Sequence, residues 1–350
     1  MNRTHRAGAD MRVAILGFGN VGRALARLLA AEGDRPAGRA GTSFLVTGIC
    51  TRTRGTLIRP EGVDLVRALD SIEREGLLPG AEALFPSTPA RSTAERFILE
   101  CPADIVVEAT TLDARTAEPA TTHIMAALSA GKHVVTANKG PVAWHFRQLE
   151  ASARANGVRL LFESTVMDGA PVFNMARRCL RGCSILGFRG ILNSTTNLVL
   201  DLMEEGATLE DGLAKAREMG IAEADPSLDV EGWDAVLKTT ILATVLMDSH
   251  LSPAEVHREG MVGLDPARLD AARNAGRVLK LLCEADGTGA RVRLAELPRT
   301  HPFSIVRGTS SALTIATDLM GEITIFEDDP GPIQTAYGIL ADMIEIAEGN

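Results

Sequence analysis

The stretch Met11–Ala30, MRVAILGFGNVGRALARLLA, decides the fold. It opens with a short apolar strand, Val13–Leu16, and closes with a helical pattern through Leu29. Between them lies Gly17-Phe18-Gly19-Asn20-Val21-Gly22. In such a strand–loop–helix unit the first glycine permits a tight turn, the second lets a pyrophosphate approach the backbone, and the third allows close helix–strand contact. The helix N-terminus then faces the phosphates. These six residues are candidates to hold a dinucleotide, the alternative being a structural glycine turn.

The second strand, predicted over Phe44–Cys50, distinguishes the dinucleotides. An NAD-selective fold places Asp or Glu at its end to bind the ribose hydroxyls. Here the end reads Thr51-Arg52-Thr53-Arg54, with no carboxylate. Two hydroxyls and two guanidiniums suit a 2′-phosphate, since arginine pairs bidentately with phosphate oxygens. Arg52 and Arg54 therefore favour NADP over NAD, against the alternative of an exposed basic loop. Asp104–Thr110, DIVVEAT, reads as a buried parallel strand whose polar end, at Thr110, lies where an open α/β sheet places its ligands. A helix over His123–Ser129 follows, then Gly131–Pro141, GKHVVTANKGP. Val134 and Val135 make a short strand, which sets Thr136, Asn138 and Lys139 at its C-terminal edge and in the following loop. Lys139 is thereby aimed at the crevice for a nicotinamide.

Val158–Glu163 is predicted as a further strand, Gly169 and Pro171 as a rigid turn, and Val172–Leu180 as a helix. Next come a strand over Ile185–Ile191, the segment Asn193-Ser-Thr-Thr-Asn197, and a helix over Leu198–Glu205. The polar segment either caps the helix or, through groups such as Thr195, meets a small amino-acid substrate. Glu223–Lys238, EADPSLDVEGWDAVLK, packs five acidic residues and a lysine into sixteen positions, a poor composition for core. Its left end reads as a loop, because Pro226 disfavours helix at Asp225 and Gly232 permits a tight approach to the next helix. At its right end Asp234 and Lys238 are four apart and share a helix face, presenting a carboxylate and an ammonium together. A solvated pair of that spacing contributes only about 0.2–0.5 kcal/mol; a lysine held near carboxylates could instead carry a proton.

Helices are predicted over Asp234–Met247, Arg268–Leu282 and Ile333–Ile346, and strands over Val292–Glu296, Ser311–Thr317 and Glu322–Phe326. The 350 residues exceed what one core usually serves, and 45% hydrophobic content supplies two. No run approaches eighteen uncharged apolar residues, so no membrane span is expected. The leader MNRTHRAGAD lacks an apolar core segment, which points to the cytoplasm. A net charge of −9 argues against a nucleic-acid partner. The five cysteines form neither a CxxC pair nor a disulfide framework, Cys179 and Cys183 being expected as packing residues, and the seven histidines are scattered. No transition metal is implied. The apolar second half points to a sheet face buried against another subunit, a homodimer.

At this point GFGNVG at 17–22, GKHVVTANKGP at 131–141, GILNSTTN at 190–197 and GIAEADPSLDVEGWDAVLK at 220–238 carry a resemblance to the homoserine dehydrogenase family, in its short form without a C-terminal regulatory module. The resemblance spans Met11 to Ile346. It implies an α/β protein with a Rossmann-type dinucleotide-binding domain over 11–155, an α+β catalytic and dimerisation domain over 156–330, and a C-terminal helix over 331–350 returning to the first domain. It also implies reversible NAD(P)-dependent interconversion of homoserine and aspartate 4-semialdehyde. Glu223 and Asp234 would bind the substrate's α-ammonium and Asp229 would orient the polar network. Lys238, or Lys139 through water, would carry the proton. A structural sodium or potassium ion would lie at Glu163, Val166, Asp168 and Ala170, held mainly by backbone oxygens. The chain departs from the family's VGGGxP at Val166-Met-Asp-Gly-Ala-Pro171, from NGTxNY at Asn193–Leu198, and from the usual glycine-rich turn at Asp329–Gln334. Met167, Asp168 and Ser194 therefore leave open a related NADP-dependent dehydrogenase for another small hydroxy or oxo amino acid. A nucleotide-binding protein without turnover is the third reading.

Overall fold

In the computed structural model, which describes residues 11–31, 41–80, 92–222 and 225–349, β1 (Met11–Leu16) lies inside a six-stranded sheet. Its side chains alternate between two cores. Val13 and Ile15 join Leu25, Ile72 and Leu340 on one face, while Ala14 and Leu16 join Phe97, Ile124 and Leu149 on the other. A strand buried on both faces needs an apolar residue at each step, hence the unbroken run at 13–16.

From β1 the chain continues through α1 (Asn20–Ala30), β2 (Phe44–Cys50), β3 (Thr56–Ile58), α2 (Leu65–Glu75) and α3 (Thr93–Glu100). Then come β4 (Ile105–Glu108), α4 (Ala120–Ser129), β5 (His133–Thr136), α5 (Lys139–Ala155) and β6 (Leu160–Leu161). The order is β3-β2-β1-β4-β5-β6, parallel except for the β2–β3 pair. The direction of winding reverses between β1 and β4, and a doubly wound sheet takes its ligand beyond the strand ends there. The C-terminal helix Pro332–Ala347 belongs to this unit, placing Ala336, Ile339 and Met343 in the core that holds Leu25.

The second unit, Ala170–Pro330, holds α6 (Val172–Cys179), β7 (Ile185–Ile191), α7 (Ser194–Glu204), α8 (Leu209–Glu218), α9 (Ser227–Val230) and α10 (Trp233–Met247). It continues with β8 (His257–Arg258), α11 (Pro266–Asn274), β9 (Arg277–Asp286), β10 (Gly289–Pro298), β11 (Ser311–Thr317) and β12 (Gly321–Glu327). Its sheet runs β12-β11-β7-β9-β10-β8, antiparallel except where β8 meets β10. α10 packs on β7, β9 and β10 and buries Val236, Leu237, Ile241 and Leu242. The chain is thus an α/β dinucleotide-binding unit joined to an α+β unit.

Several local expectations are corrected. The helix expected over Arg268–Leu282 stops at Asn274, Gly276 turns with φ +70°, and Arg277–Asp286 is a strand paired along its length with β10. The run VLKLLC fits either period, and its partner across the sheet decides. The strand expected over Val158–Glu163 keeps only Leu160–Leu161, followed by a 3-10 turn at Glu163–Thr165. β6 pairs with β5, so the first unit continues to Gly169 and does not end at 155. Lys139 is not in a loop but is the first residue of α5, capped by Asn138. Likewise α7 begins at Ser194 with Asn193 as its cap, and part of the expected acidic loop is the short helix Ser227–Val230.

Candidate active site

The glycine loop shows why each of its glycines is needed. A Cβ on Gly17, where φ is +91°, would stand 2.2 Å from the carbonyl oxygen of Ala109 just beyond β4, and one on Gly22 would stand 2.3 Å from the carbonyl of Gly17. Gly17 and Gly22 are fixed by internal packing. Gly19 is different: nothing lies within 4 Å of its Cβ position, so the chain leaves the approach to the first turn of α1 open. Gly19 and Asn20 are exposed, Val21 is half-buried and Phe18 is buried beneath the loop. The side chain of Arg23 bonds the carbonyl of Gly19 and, at 2.9 Å, Oδ1 of Asn20, bracing the loop from the helix side. Open space over a helix N-terminus with uncommitted backbone amides fits a phosphate.

At the end of β2 the four polar residues separate into two roles. The Thr51 hydroxyl donates to the Gly55 carbonyl at 2.9 Å and accepts from the Arg54 amide at 2.8 Å, so it closes its own turn and is not offered to a ligand. Arg52 and Thr53 are exposed and Arg54 is half-buried. Neither guanidinium has an ion-pair partner among the described residues, so both are available to an anion.

Beyond β4 and β5 the polar ends meet. Thr110 bonds through its amide, at 3.1 Å, and through its hydroxyl to the fully buried Glu108. Asn138 donates from Nδ2 to the Thr110 carbonyl at 3.3 Å and caps α5 by accepting from the Gly140 amide at 3.2 Å. Lys139, half-buried, therefore leaves from a helix start that is tied to the neighbouring strand. Glu108 was not among the residues singled out from sequence, where it read as one more position in a buried strand.

The segment after β6 revises the meaning of its departures from the family pattern. Met167 is 1% exposed and serves the core. Asp168, at φ +38°, accepts the Thr335 hydroxyl at 2.7 Å, and the Ser164 hydroxyl bonds the Thr335 carbonyl at 2.7 Å. A carboxylate beside the first turn of the C-terminal helix is favoured by the helix dipole. Gly169 and Gly338 let the backbones meet: Cβ atoms there would stand 2.3 Å from the Gln334 carbonyl and from the Ser164 hydroxyl. The Asp168 carboxylate thus fastens the returning helix. Glu163 is buried, its amide bonding Asp342 at 2.8 Å, and Val166 is buried. The Ala170 carbonyl accepts from the Val172 amide at 2.8 Å and keeps its second lone pair.

In the second unit Asn193 gathers the acidic residues. Its Oδ1 accepts from the Thr196 amide at 2.8 Å, capping α7, while its Nδ2 donates to Asp229 at 2.7 Å and to Asp234 at 2.9 Å. Lys238 pairs with Asp234 at 3.4 Å and donates to the Leu192 carbonyl. Its side chain is 14% exposed and that of Asp234 10%, so the four-residue spacing carries a largely desolvated pair and not a surface one. Thr195 is buried in the first turn of α7. Glu223 lies outside the described residues. Gly232, at φ +83°, turns α9 into α10, and the Arg258 guanidinium lies 4.4 Å from the Trp233 ring centre beside that turn.

Two further groups bear on this face. Lys280, fully buried on β9, donates to Asn197 at 2.8 Å, Asp201 at 2.7 Å and the Val306 carbonyl at 2.7 Å. Burial pulls its pKa down against the opposing pull of Asp201. The sequence placed this lysine in a helix and gave it no role. Burial pushes the Cys283 thiol up to about 12, and its Sγ lies 3.7 Å from the Ala235 carbonyl, so it is inert packing under α10. Cys179 is exposed and Cys183 half-buried, so the first is no core residue, and no cluster of three metal-ligating side chains occurs among the described residues.

A doubly wound sheet with an open glycine loop, joined to a unit bearing a desolvated Asp–Lys pair, defines a dinucleotide-dependent oxidoreductase of two units. The chain matches the homoserine dehydrogenase NAD-binding domain over residues 17–163 and the homoserine dehydrogenase family over residues 171–344. It is 36% identical over 342 residues to the NAD(+)-dependent homoserine dehydrogenase of Pseudomonas canavaninivorans, covering 96% of each chain. Its fold is similar to a putative homoserine dehydrogenase from Archaeoglobus fulgidus, with TM-score 0.84 and 33% identity over 96% of this chain and 99% of that one. It is also similar to a hyperthermophilic archaeal homoserine dehydrogenase in complex with NADPH, with TM-score 0.82 and 29% identity over 98% and 99% of the two chains. The chain belongs to the homoserine dehydrogenase family.

Proposed function

We propose that this chain oxidises L-homoserine to L-aspartate 4-semialdehyde, reversibly, with NADP as the preferred acceptor. The observation that carries the reading is the Lys238 ammonium: among the described residues it is paired with Asp234 and the Leu192 carbonyl, which leaves a third N–H for a ligand. Asp234 and Asp229, held together by the Asn193 amide, supply the negative charge that a substrate α-ammonium needs, with Glu223 as a third carboxylate. Thr195 completes the polar wall. Lys238 takes the hydroxyl proton during oxidation as its neutral amine; in the reverse direction its ammonium form donates that proton, its charge stabilising the developing alkoxide. Lys139, at the start of α5, is assigned to the nicotinamide side of the reacting hydroxyl. When bound, the dinucleotide accepts the hydride from the alcohol carbon. Gly17, Phe18, Gly19, Asn20, Val21 and Gly22 hold its pyrophosphate, with Thr110 at the neighbouring strand end.

Arg52 and Arg54 support the 2′-phosphate, as does the lack of a carboxylate at 51–54. The Pseudomonas relative is named NAD(+)-dependent and the archaeal one was solved with NADPH, so the family alone does not choose. The same reading assigns a structural sodium or potassium ion to Glu163, Val166, Asp168 and Ala170. It also assigns a homodimer formed on the second unit, where Leu186, Leu319, Met320 and Phe326 are exposed on or beside the sheet, and a cytoplasmic location. No helix among the described residues is long and apolar enough to cross a membrane.

The test is reduction of NADP and of NAD, followed by absorbance, with homoserine and a panel of other small hydroxy amino acids. Turnover confined to homoserine is expected; turnover with another member alone assigns the pocket to that substrate. Arg52→Ala is expected to raise KM for NADP roughly 10- to 100-fold, the loss of a charged hydrogen bond, while leaving KM for NAD unchanged. Equal effects on both cofactors would remove the 2′-phosphate assignment.

A further inference from the structure

Glu108 is 0% exposed, at the carboxyl end of β4. Its carboxylate accepts from the Thr110 amide at 3.1 Å, from the Thr110 hydroxyl, and from the Thr136 hydroxyl at 3.2 Å. The Thr136 hydroxyl is shared with the Glu108 carbonyl at 3.0 Å and itself accepts from the Asn138 amide at 2.9 Å. Asn138 then returns to the Thr110 carbonyl at 3.3 Å. The four residues form a closed ring across the ends of β4 and β5. Three groups point donors at the carboxylate, so an acceptor-only side chain is required there, and a buried carboxylate without such donors would be costly. His123 Nδ1 lies 3.9 Å from Oε1 and has no hydrogen bond among the described residues.

The ring borders the cofactor loop on one side and α5 on the other. Ala109, between Glu108 and Thr110, bonds the Leu16 carbonyl at 2.8 Å, and its own carbonyl lies where a Cβ on Gly17 would be, 2.2 Å away. On the other side Asn138 caps the helix whose first residue is Lys139.

We propose that Glu108 is the positioning residue of the cofactor half of the site: through Thr110, Thr136 and Asn138 it sets the two backbone edges that flank the dinucleotide and aims Lys139. The turnover arm of its test rests on the function proposed above; the cofactor-binding arm rests only on dinucleotide binding.

The full-length protein and its Glu108→Gln, Thr136→Val and Thr136→Ser variants are compared for NADPH affinity by cofactor fluorescence, for homoserine turnover and for melting temperature. In folded Glu108→Gln and Thr136→Val, NADPH Kd is expected to rise and kcat to fall, each about tenfold, with KM for homoserine within about twofold. Thr136→Ser keeps the hydroxyl and is expected to match wild type. The Glu108→Gln/Thr136→Val pair is expected to lose little more than the worse single variant, because both open one ring. Wild-type Kd and kcat in folded Glu108→Gln, or Thr136→Ser failing as Thr136→Val does, would overturn the proposal and leave Glu108 a stabilising residue only. If Glu108→Gln does not fold, the two Thr136 variants decide. Intact NADPH binding without homoserine turnover would refute the substrate reading alone, whereas a wild type that binds no dinucleotide would refute both.

Discussion

Lys280 and Lys238 belong to the same unit, and both ammonium groups sit beside an aspartate. Lys280 is fully buried and its three N–H groups are all taken, by Asn197, Asp201 and the Val306 carbonyl. Around it Arg307 bridges Asp201 and Glu204, and Arg299 meets Glu204 at 2.6 Å, tying α7 to β9 and to the loop at 306–308. Among the described residues Lys238 has only the Leu192 carbonyl and Asp234, and it keeps some exposure. Burial by itself does not mark a reacting lysine. A group with every donor satisfied can only hold structure, while one with a donor to spare can meet a ligand.

The sharpest way to break this contrast is to remove each ammonium. Lys238→Met is expected to lower kcat by about 10²- to 10⁴-fold, the usual contribution of a proton-transfer group, with a smaller loss of stability than the change at Lys280, because Lys238 is not fully buried and Asp234 keeps the Asn193 donor. Comparable activity in the variant would transfer the proton role to Lys139. Lys280→Met is expected to do the reverse. It breaks a buried pair, which costs about 3–5 kcal/mol, toward the lower figure because Arg307 still partners Asp201. Denaturant melts should show that loss, while kcat and KM of the folded fraction stay near wild type; a selective loss of kcat would erase the distinction between the two lysines.

A smaller effect tests what holds the Lys238 partner in place. Asn193→Ala deletes the cap of α7, about 1 kcal/mol, and releases Asp229 and Asp234 from their shared donor. KM for homoserine is expected to rise roughly tenfold with KM for cofactor unchanged, since a charged hydrogen bond at the substrate end is lost. Steady-state kinetics with each substrate varied in turn read this directly. The smallest effect concerns acid. Burial raises the Glu204 pKa, but Arg307 and Arg299 outweigh it and hold the carboxyl below its ordinary value of 4.5. Its contribution is therefore complete above that value and is lost as pH falls through the depressed one. With partners this exposed it amounts to under about 1 kcal/mol. Urea melts of wild type and Glu204→Gln should differ at neutral pH and converge in acid; a constant gap would assign the difference to packing.

Much of this was legible from local pattern. The β1–glycine loop–α1 unit, the second strand with its basic end, and the spacing of Asp234 and Lys238 all depend on residues close in the chain, whose periods and turn chemistry are visible in sequence. Lys280 was missed because VLKLLC satisfies both helical and strand spacing, and only β10 across the sheet makes it a strand. Glu108 was hidden for a related reason: its ring joins positions 108, 110, 136 and 138, which meet only when β4 and β5 pair. The departures at Met167 and Asp168 looked like a changed pocket. They serve the core and the fastening of the C-terminal helix, whose Thr335 lies far along the chain.

The sequence by itself therefore determined the class of cofactor fold, the two-unit organisation and the pair of charges at 234 and 238, because these follow from short-range periodicity and from glycines whose positions have one steric use. Tertiary structure alone decided, among the described residues, which lysine is satisfied and which keeps a donor, and which carboxylates brace the backbone. A side chain's remaining hydrogen-bond capacity depends on partners brought together across strands and helices, and no local pattern records it.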